Sequence, residues 1–300
     1  MGNDIGEEGA LAISEGLKIN RTLLILTMTG NQIKSKGGVH LAHALQANDK
    51  LQYIDVGQCD QDITSCIAFI TALRRNNTLL GINLDRPLLF TIQEEPTVHV
   101  KEMLCLNKTL KEIHLAKLDM RDFGAERIAE AMERNRSLQV LDISVNRIAR
   151  DGALALSKIL PNHPSLTVLD LSFNRIQCAG AIAIAEALRN DNNRLKVLCV
   201  AFNELKPLGL RALGKMMFEN DTIQCLYIWG NEFNDDVCEL FSQLLLIGRL
   251  TEDCTDVRPY KVDGHTYLGM LNHDCDYRRY RFAVPWWKSQ APADRSIALF

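Results

Sequence analysis

The sequence predicts a right-handed α/β solenoid, with a parallel β-sheet on its concave side and helices on its convex side. One observation is a segment of about 28 residues that recurs from Leu23 to beyond Ile223. The other is its opening pattern, Leu-x-x-Leu-x-Leu-x-x-Asn-x-Ile, which is cleanest in two successive units, 138–148 and 166–176. A short strand followed by a helix in so few residues favours a stack in which each unit packs only on its neighbours.

Residues 1–22 carry only the helix half of such a unit. Asn3-Asp-Ile5 matches the Asn-x-Ile step, and Ala10 to Leu17 has helical apolar spacing, but no strand precedes them. The strand at Leu23–Met28 is therefore predicted to be an open sheet edge. Two explanations stay open: upstream repeats are missing from this chain, or the first helix serves as the cap.

Residues 23–246 hold seven to eight units. In each, the leucines are predicted to point inward, and the following Asn should bond buried peptide groups of neighbouring turns. That position reads, through successive units, Asn31, Cys59, Pro87, Leu118, Asn146, Asn174, Asn203 and Asn231. The third unit is longer, and its inserted segment 90–100 includes a proline, which cannot lie inside a helix. This segment is either a tolerated loop or a specialised loop that contacts a partner.

Cysteine and asparagine usage both indicate an intracellular protein. The nine cysteines include no Cys-x-x-Cys pair and several lie at apolar repeat positions, which is typical of free thiols in a reducing compartment. Five Asn-x-Ser/Thr sequons fall just before successive strands, at Asn20, Asn76, Asn107, Asn135 and Asn220. Their regular placement favours turn chemistry over glycosylation, with Asn in left-handed backbone and Ser or Thr bonding locally.

Composition and motifs argue against several classes of function. The net charge of −3 predicts no broad attraction to nucleic acid or to an anionic membrane. No apolar run approaches the roughly 18 residues of a membrane span. The segment Gly209–Lys215 matches most of a phosphate-binding loop, but Met216 stands where magnesium binding needs Ser or Thr.

No ligand set with defensible metal spacing is present. His40 and His43 share a predicted helix face without further ligands nearby, and the C-terminal candidates have no zinc spacing: Cys254, His265, His273 and Cys275. We therefore predict no catalysis, no cofactor and no metal.

The repeat resembles the ribonuclease-inhibitor type of leucine-rich repeat over residues 3–245. The helix halves share that type's Gly-Ala step, at 124–125, 152–153 and 180–181. The resemblance implies a leucine-rich repeat horseshoe that binds a protein on a preformed concave surface. The segment 256–264 further resembles one group within this family, which implies nuclear or nucleolar association in proliferating cells. Broader relatives imply a part in ciliary, axonemal or cytoskeletal assemblies, so cytoplasm, nucleus and cilium all stay open.

Two activities of the family are alternatives to a scaffold. One is activation of the nuclear-transport GTPase Ran, but that branch carries a strongly acidic segment after the repeats, and the tail here is aromatic and mixed in charge. The other is ribonuclease inhibition, whose known example is far richer in acidic residues and cysteine.

Strand alternation places the residues between the inward leucines on the concave face. Acidic and aromatic side chains adjoin there in the later units, which favours a protein-binding site. The predicted contact residues are Asp142, Asp170, Val197, Tyr227 and Trp229. For the valines of this face, strand propensity is an equally simple explanation.

Residues 247–300 depart from the repeat and hold most of the tyrosine and tryptophan. For 251–270 we predict a cap over the last repeat. For 276–288, a partner-binding motif and a continuation of the cap both stay open, and RNA stacking is disfavoured because the concave face is not basic. The candidate contact residues are Tyr277, Arg278, Arg279, Tyr280, Trp286 and Trp287.

Overall fold

The computed structural model describes residues 2–89, 94–189 and 194–271. Within these ranges, eight three-residue strands lie in one parallel sheet in chain order and alternate with α-helices. The strands are β1 Ile25–Thr27, β2 Tyr53–Asp55, β3 Gly81–Asn83, β4 Glu112–His114, β5 Val140–Asp142, β6 Val168–Asp170, β7 Val197–Cys199 and β8 Cys225–Tyr227. The predicted α/β solenoid is confirmed.

One helix accompanies each strand, and a further helix precedes the first strand. The helices are α1 Glu7–Ile19, α2 Lys34–Ala47, α3 Ile63–Leu73, α4 Glu95–Leu106, α5 Arg121–Met132, α6 Arg150–Ile159, α7 Gln177–Ala187, α8 Pro207–Glu219 and α9 Asp235–Leu246. Pro96 lies in the first turn of α4, where its missing N–H costs no helical hydrogen bond.

The described chain divides into two compact units. One holds residues 2–118 and 134–141, and the other holds 119–133 and 142–271. In the first, β1 to β4 pair in parallel register, as in Leu26 opposite Ile54 and Ile54 opposite Ile82. In the second, Leu169, Leu198 and Leu226 stand side by side in β6, β7 and β8. Except for the half-buried Leu26 of the edge strand, these inward side chains are fully buried, as predicted, and form the core between sheet and helices.

An asparagine ladder runs through the second unit. Asn174 Oδ1 accepts the backbone N–H groups of Asn146 and Ile148, each at 2.9 Å. Its Nδ2 donates to the carbonyls of Ile143 (3.1 Å) and Leu171 (2.8 Å). Asn231 repeats the pattern two units on, because its Oδ1 accepts the N–H of Asn203 at 2.9 Å. The predicted role of these side chains in satisfying buried peptide groups is confirmed.

A thiol replaces part of this ladder in the first unit. Cys59 stands at the Asn position, and its Sγ donates to the carbonyls of Met28 (3.0 Å) and Gly57 (3.3 Å). Burial raises the pKa of this thiol to about 11, so it stays protonated and remains a donor. A cysteine can therefore supply the donor half of the asparagine's role.

The sequon asparagines form a second ladder, between each helix and the next strand. Asn76 Nδ2 donates to the carbonyls of Leu45 (2.7 Å) and Asn48 (3.2 Å), while its Oδ1 accepts the N–H groups of Thr78 and Leu79. The expectation of left-handed backbone is wrong here, because Asn20, Asn107 and Asn220 have φ of −68°, −74° and −115°. Four of the five are buried (Asn76, Asn107, Asn135 and Asn220), which supports the structural interpretation.

The two ends of the described repeats differ. Among the described residues, β1 pairs only with β2, and Ile25 is 39% exposed, so the predicted open edge is confirmed. At the other end a 3₁₀ turn, Glu252–Cys254, leads into an antiparallel hairpin of β9 Val257–Val262 and β10 His265–Met270. The Asp256 carboxylate accepts the N–H groups of Ile228 and Trp229 just beyond β8, at 2.7 and 3.1 Å. The carboxylate thus takes the place of the backbone carbonyls by which a further repeat would accept these two N–H groups.

Candidate protein-binding surface

Four of the five predicted contact residues lie on strands and are buried, whereas Trp229 lies two residues beyond β8. Val197 and Tyr227 are each only 1% exposed, and Asp142 and Asp170 are each 5% exposed. Both carboxylates accept a local backbone N–H, Asp142 from Ser144 at 3.0 Å and Asp170 from Ser172 at 2.8 Å. These two hydrogen bonds shape the turn that follows each strand.

Tyr227 lies in a cysteine-rich part of the second unit. Burial raises the pKa of its phenol above the ordinary value of 10.0, and the Cys199 and Cys225 thiols raise it further. The hydroxyl is therefore neutral throughout the physiological range. Tyr227 contributes to the floor of the surface and offers little contact area of its own.

Trp229 is the accessible member of the predicted set. Its indole is half-buried and packs against Phe233, with ring centroids 5.9 Å apart and an interplanar angle of 37°. Its backbone N–H is held by the Asp256 carboxylate. The Asp256 carboxylate thus holds the backbone of Trp229, while the indole has Phe233 as its aromatic neighbour.

Two phenylalanines that the sequence analysis did not single out lie in the neighbouring repeats. Phe173 and Phe202 stack with ring centroids 4.4 Å apart and an interplanar angle of 9°. Phe173 is 46% exposed and Phe202 is half-buried. We name Phe173, Phe202, Trp229 and Phe233 the aromatic ridge.

The backbone at these phenylalanines is left-handed, with φ of +58° at Phe173 and +53° at Phe202. Bulky side chains rarely adopt this conformation, which glycine or asparagine takes more readily. Here it is held by the ladder, since Phe173 N–H donates to Ala201 (2.8 Å) and Phe202 N–H donates to Trp229 (2.8 Å). The equivalent residues of earlier units, Gln58, Arg86, Lys117 and Val145, also have positive φ, so this conformation belongs to the repeat and sets the direction of the side chain at this position.

Gly230 lets the ridge continue into the last repeat. It occupies the same position as Phe173 and Phe202, with φ of +78°. A Cβ at Gly230 would stand 2.2 Å from the Phe202 ring, so any side chain there would displace that phenylalanine. Glycine therefore allows Phe202 to lie over the backbone beside Trp229.

Ion pairs join the residues that follow the ladder positions of different units. Arg175 follows the Asn174 turn and lies 3.5 Å from Glu204, which follows Asn203. Arg147 lies 3.2 Å from Asp119 in the same way. An apolar strip with a charged, solvated rim is the usual arrangement of a protein–protein interface.

The sequence carried a signal for the ridge, because a Phe directly precedes the ladder Asn in two successive units. Strand alternation selects only positions within or beside the strands, and the phenylalanine column lies one residue beyond them. The predicted tail contacts at 277–280 and 286–287 lie outside the described residues.

No helix in the three described ranges combines the length and apolar character needed to cross a bilayer.

Comparison with known proteins agrees with the repeat. A family model described as a leucine-rich repeat matches residues 20–42, 134–157 and 162–185. Leucine-rich repeat-containing protein 34 of Mus musculus is 47% identical over 239 residues, which are 80% of this chain and 57% of the mouse protein. The Homo sapiens protein of that name is 52% identical over 193 residues, or 64% of this chain and 42% of its own length. The chain thus spans about half the length of these curated relatives.

More distant similarities are also present. Ribonuclease inhibitor of Mus musculus is 27% identical over 145 residues, which are 48% of this chain and 31% of the inhibitor. Among solved structures, actin-binding site 2 of leiomodin-1 has 19% identity and a TM-score of 0.37, over 61% of this chain and 87% of that chain. The predicted resemblance to ribonuclease-inhibitor-type repeats is confirmed.

Proposed function

Because the chain is a leucine-rich repeat protein similar to leucine-rich repeat-containing protein 34, we propose that it is a non-catalytic scaffold that binds a protein partner on the strand side of its second unit. The contact residues are the aromatic ridge, with Asp142, Asp170, Val197 and Tyr227 as the floor beside it. The stacked pair of the exposed Phe173 and the half-buried Phe202 is the observation that carries this proposal.

The physical argument rests on area and rigidity. Each phenylalanine or tryptophan can bury about 150–250 Å², and aromatic pairs add about 0.5–1.5 kcal/mol beyond the area term. The ridge is already ordered by ladder hydrogen bonds, so a partner need not supply the free energy to immobilise it. A partner segment with apolar side chains fits the rings, and its polar groups fit the rim at Arg175 and Glu204.

Proximity labelling in cells with matched variants tests the proposal. Phe173→Ala combined with Phe202→Ala removes the stack, whereas Phe218→Ala on α8 removes a phenylalanine of nearly equal exposure, 45% against 46%. A ridge contact worth about 2 kcal/mol or more should lower labelling of the partner at least tenfold in the double variant. Phe218→Ala should leave the labelling unchanged, and circular dichroism should show both variants folded.

Other results would overturn this assignment. Equal labelling by the wild type and the double variant would exclude the ridge as the contact surface. Loss of the same partners on deletion of residues 272–300 alone would assign binding to the C-terminal tail and its Tyr277–Tyr280 and Trp286–Trp287 candidates. The family resemblance also supports a nuclear, nucleolar or ciliary location, which is proposed independently of the ridge. The identity of the labelled proteins tests that location.

Regulation of an enzyme is the second candidate. The similarity to ribonuclease inhibitor over 48% of the chain favours it. A ribonuclease assay with the purified chain gives a direct answer, because tight inhibition at stoichiometric protein would replace the scaffold assignment. Stimulated GTP hydrolysis by Ran would likewise establish the GTPase-activating alternative.

A further inference from the structure

The strands β2 to β4 of the first unit are buried on both sides of the sheet. Their central residues, Ile54, Ile82 and Ile113, point inward, so alternation directs the residues on either side of them to the concave face. Every residue of these three strands is nonetheless buried, whereas the edge strand β1 has two exposed residues. A sheet with helices on one side normally leaves its other side solvated. Burial on the concave side therefore indicates a segment seated there.

This part of the concave face is rich in carboxylates. Residues 53–57, 81–85 and 112–116 contain three carboxylates and no lysine or arginine. The register sets Glu112 beside Gly81 and places both Asp55 and His114 beside Asn83. We name the polar side chains of these three segments the acidic face: Tyr53, Asp55, Asn83, Asp85, Glu112 and His114.

Local hydrogen bonds fix the carboxylates of the acidic face in position. Asp55 accepts the N–H of Gly57 at 3.0 Å, and Asp85 accepts the N–H of Ala116 at 2.7 Å. The buried Glu112 carboxylate is hydrogen-bonded to the buried His114 imidazole. Backbone N–H groups orient Asp55 and Asp85 without cancelling their charge, and a carboxylate withdrawn from water is stabilised by a nearby cation. The acidic face therefore fits a segment with basic side chains.

The C-terminal tail of the same chain has the complementary composition. Residues 276–295 contain five basic and two acidic side chains, in a chain whose net charge is −3. They also include Trp286 and Trp287, which gain free energy when they are buried. The described chain ends at Leu271, directly after β10. About 20 extended residues span about 65 Å, and eight parallel strands occupy only about 34 Å, so the tail is long enough.

We propose that residues 276–295 of this chain dock on the acidic face, with their basic side chains paired to Asp55, Asp85 and Glu112. Because the tail is tethered to the repeats, its effective concentration at the face is about 1 mM, so weak pairings are sufficient. A protein partner would reach this face only by displacing the tail. The inference is independent of the proposed binding surface, which lies in the second unit.

The test introduces benzoyl-phenylalanine in place of Trp287 in the purified full chain and maps the photo-crosslinks by peptide mass spectrometry. The expected product is an intramolecular link to peptides that hold β2 to β4. Combining Asp55→Asn, Asp85→Asn and Glu112→Gln removes three charges, keeps an accepting oxygen at each position, and should lower the yield of this link at least about fivefold.

The matched control removes three carboxylates of the first unit that lie in exposed ion pairs outside the strands. It combines Glu15→Gln, Asp49→Asn and Glu102→Gln, and should leave the yield unchanged. A salt titration needs no substitution in the acidic face. Raising NaCl from about 0.1 to about 1 M shortens the Debye length from about 10 to about 3 Å, so the yield of the link should fall.

Three outcomes would overturn the proposal. The first is the absence of any link to β2–β4, or links confined to the helices. The second is a link that joins two chains, seen as a dimer on a denaturing gel, which would assign the face to the tail of a second copy. The third is a link whose yield responds neither to salt nor to the loss of the three carboxylates, which would exclude charge complementarity as the basis of docking.

Discussion

Replacing Asn174 by alanine should destabilise the second unit strongly, and the structure sets the magnitude. The side chain is buried, and its Oδ1 is the acceptor for the N–H groups of Asn146 and Ile148. Alanine would leave both donors without that acceptor in a site closed to water. At about 1–3 kcal/mol for each unsatisfied group, the expected loss is about 2–6 kcal/mol in the free energy of unfolding.

The matched comparison is Asn231→Ala. Asn231 Oδ1 accepts the equivalent N–H groups of Asn203 and Leu205, at 2.9 and 3.0 Å, but its side chain is half-exposed. Water can replace those hydrogen bonds, so Asn231→Ala should cost about 1 kcal/mol. The pair therefore separates the cost of burial from the cost of losing an asparagine.

Urea denaturation gives the two free energies, and hydrogen exchange locates the loss. In Asn174→Ala, protection should fall first at the amides of Asn146 and Ile148. A loss below about 1 kcal/mol, or equal losses for Asn174→Ala and Asn231→Ala, would refute the reasoning that the ladder stabilises by satisfying buried peptide groups.

Two further perturbations test the core and a helix cap. Leu169→Ala removes a fully buried side chain of β6, so the free energy of unfolding measured by urea denaturation should fall by about 2–5 kcal/mol. Hydrogen-exchange protection should be lost across β6 to β8 before it is lost across β1 to β4. Equal loss of protection everywhere would contradict this prediction. Asp62 caps α3 through the N–H of Ser65 at 3.0 Å, and although burial raises the pKa of its carboxyl, hydrogen bonds from Ser35 and Ser65 lower it by more, to below 3.8. The stabilisation from the Asp62 carboxylate is thus present above pH 3.8 and is lost as the pH falls through the lower pKa of the folded state. Asp62→Asn should therefore flatten the dependence of the unfolding free energy on pH between about 5 and 2. An unchanged slope would contradict this prediction.

The parts of the fold that repeat were predictable. Leu169 and Asn174 could be placed because the same physical requirement recurs about every 28 residues: an apolar side chain toward the helices and an amide toward unpaired peptide groups. The backbone of the sequon asparagines was not predictable in the same way. Their regular spacing predicts a structural role, but not that Asn20 and Asn107 bond neighbouring backbone from an extended conformation.

The candidate surface was only partly predictable, because its accessible area depends on contacts that do not repeat. Strand alternation places Tyr227 among the contact positions, yet the side chain is buried, with Cys254 and Asp256 of the non-repeating segment among its neighbours. Phe173 and Phe202 become accessible through left-handed turns that their residue type disfavours. A pattern of residue types could locate the column, but the stack itself appears only in three dimensions.

Site-specific photo-crosslinking tests the binding claim most directly. A benzoyl-phenylalanine introduced at position 202 in cells would report any protein within contact distance of the ridge, and the same group at position 218 on α8 is the control. The proposed function predicts a discrete crosslinked protein at 202 that is absent at 218 and is diminished when Phe173 is replaced by alanine. No crosslink at 202, or the same products at 202 and 218, would contradict it.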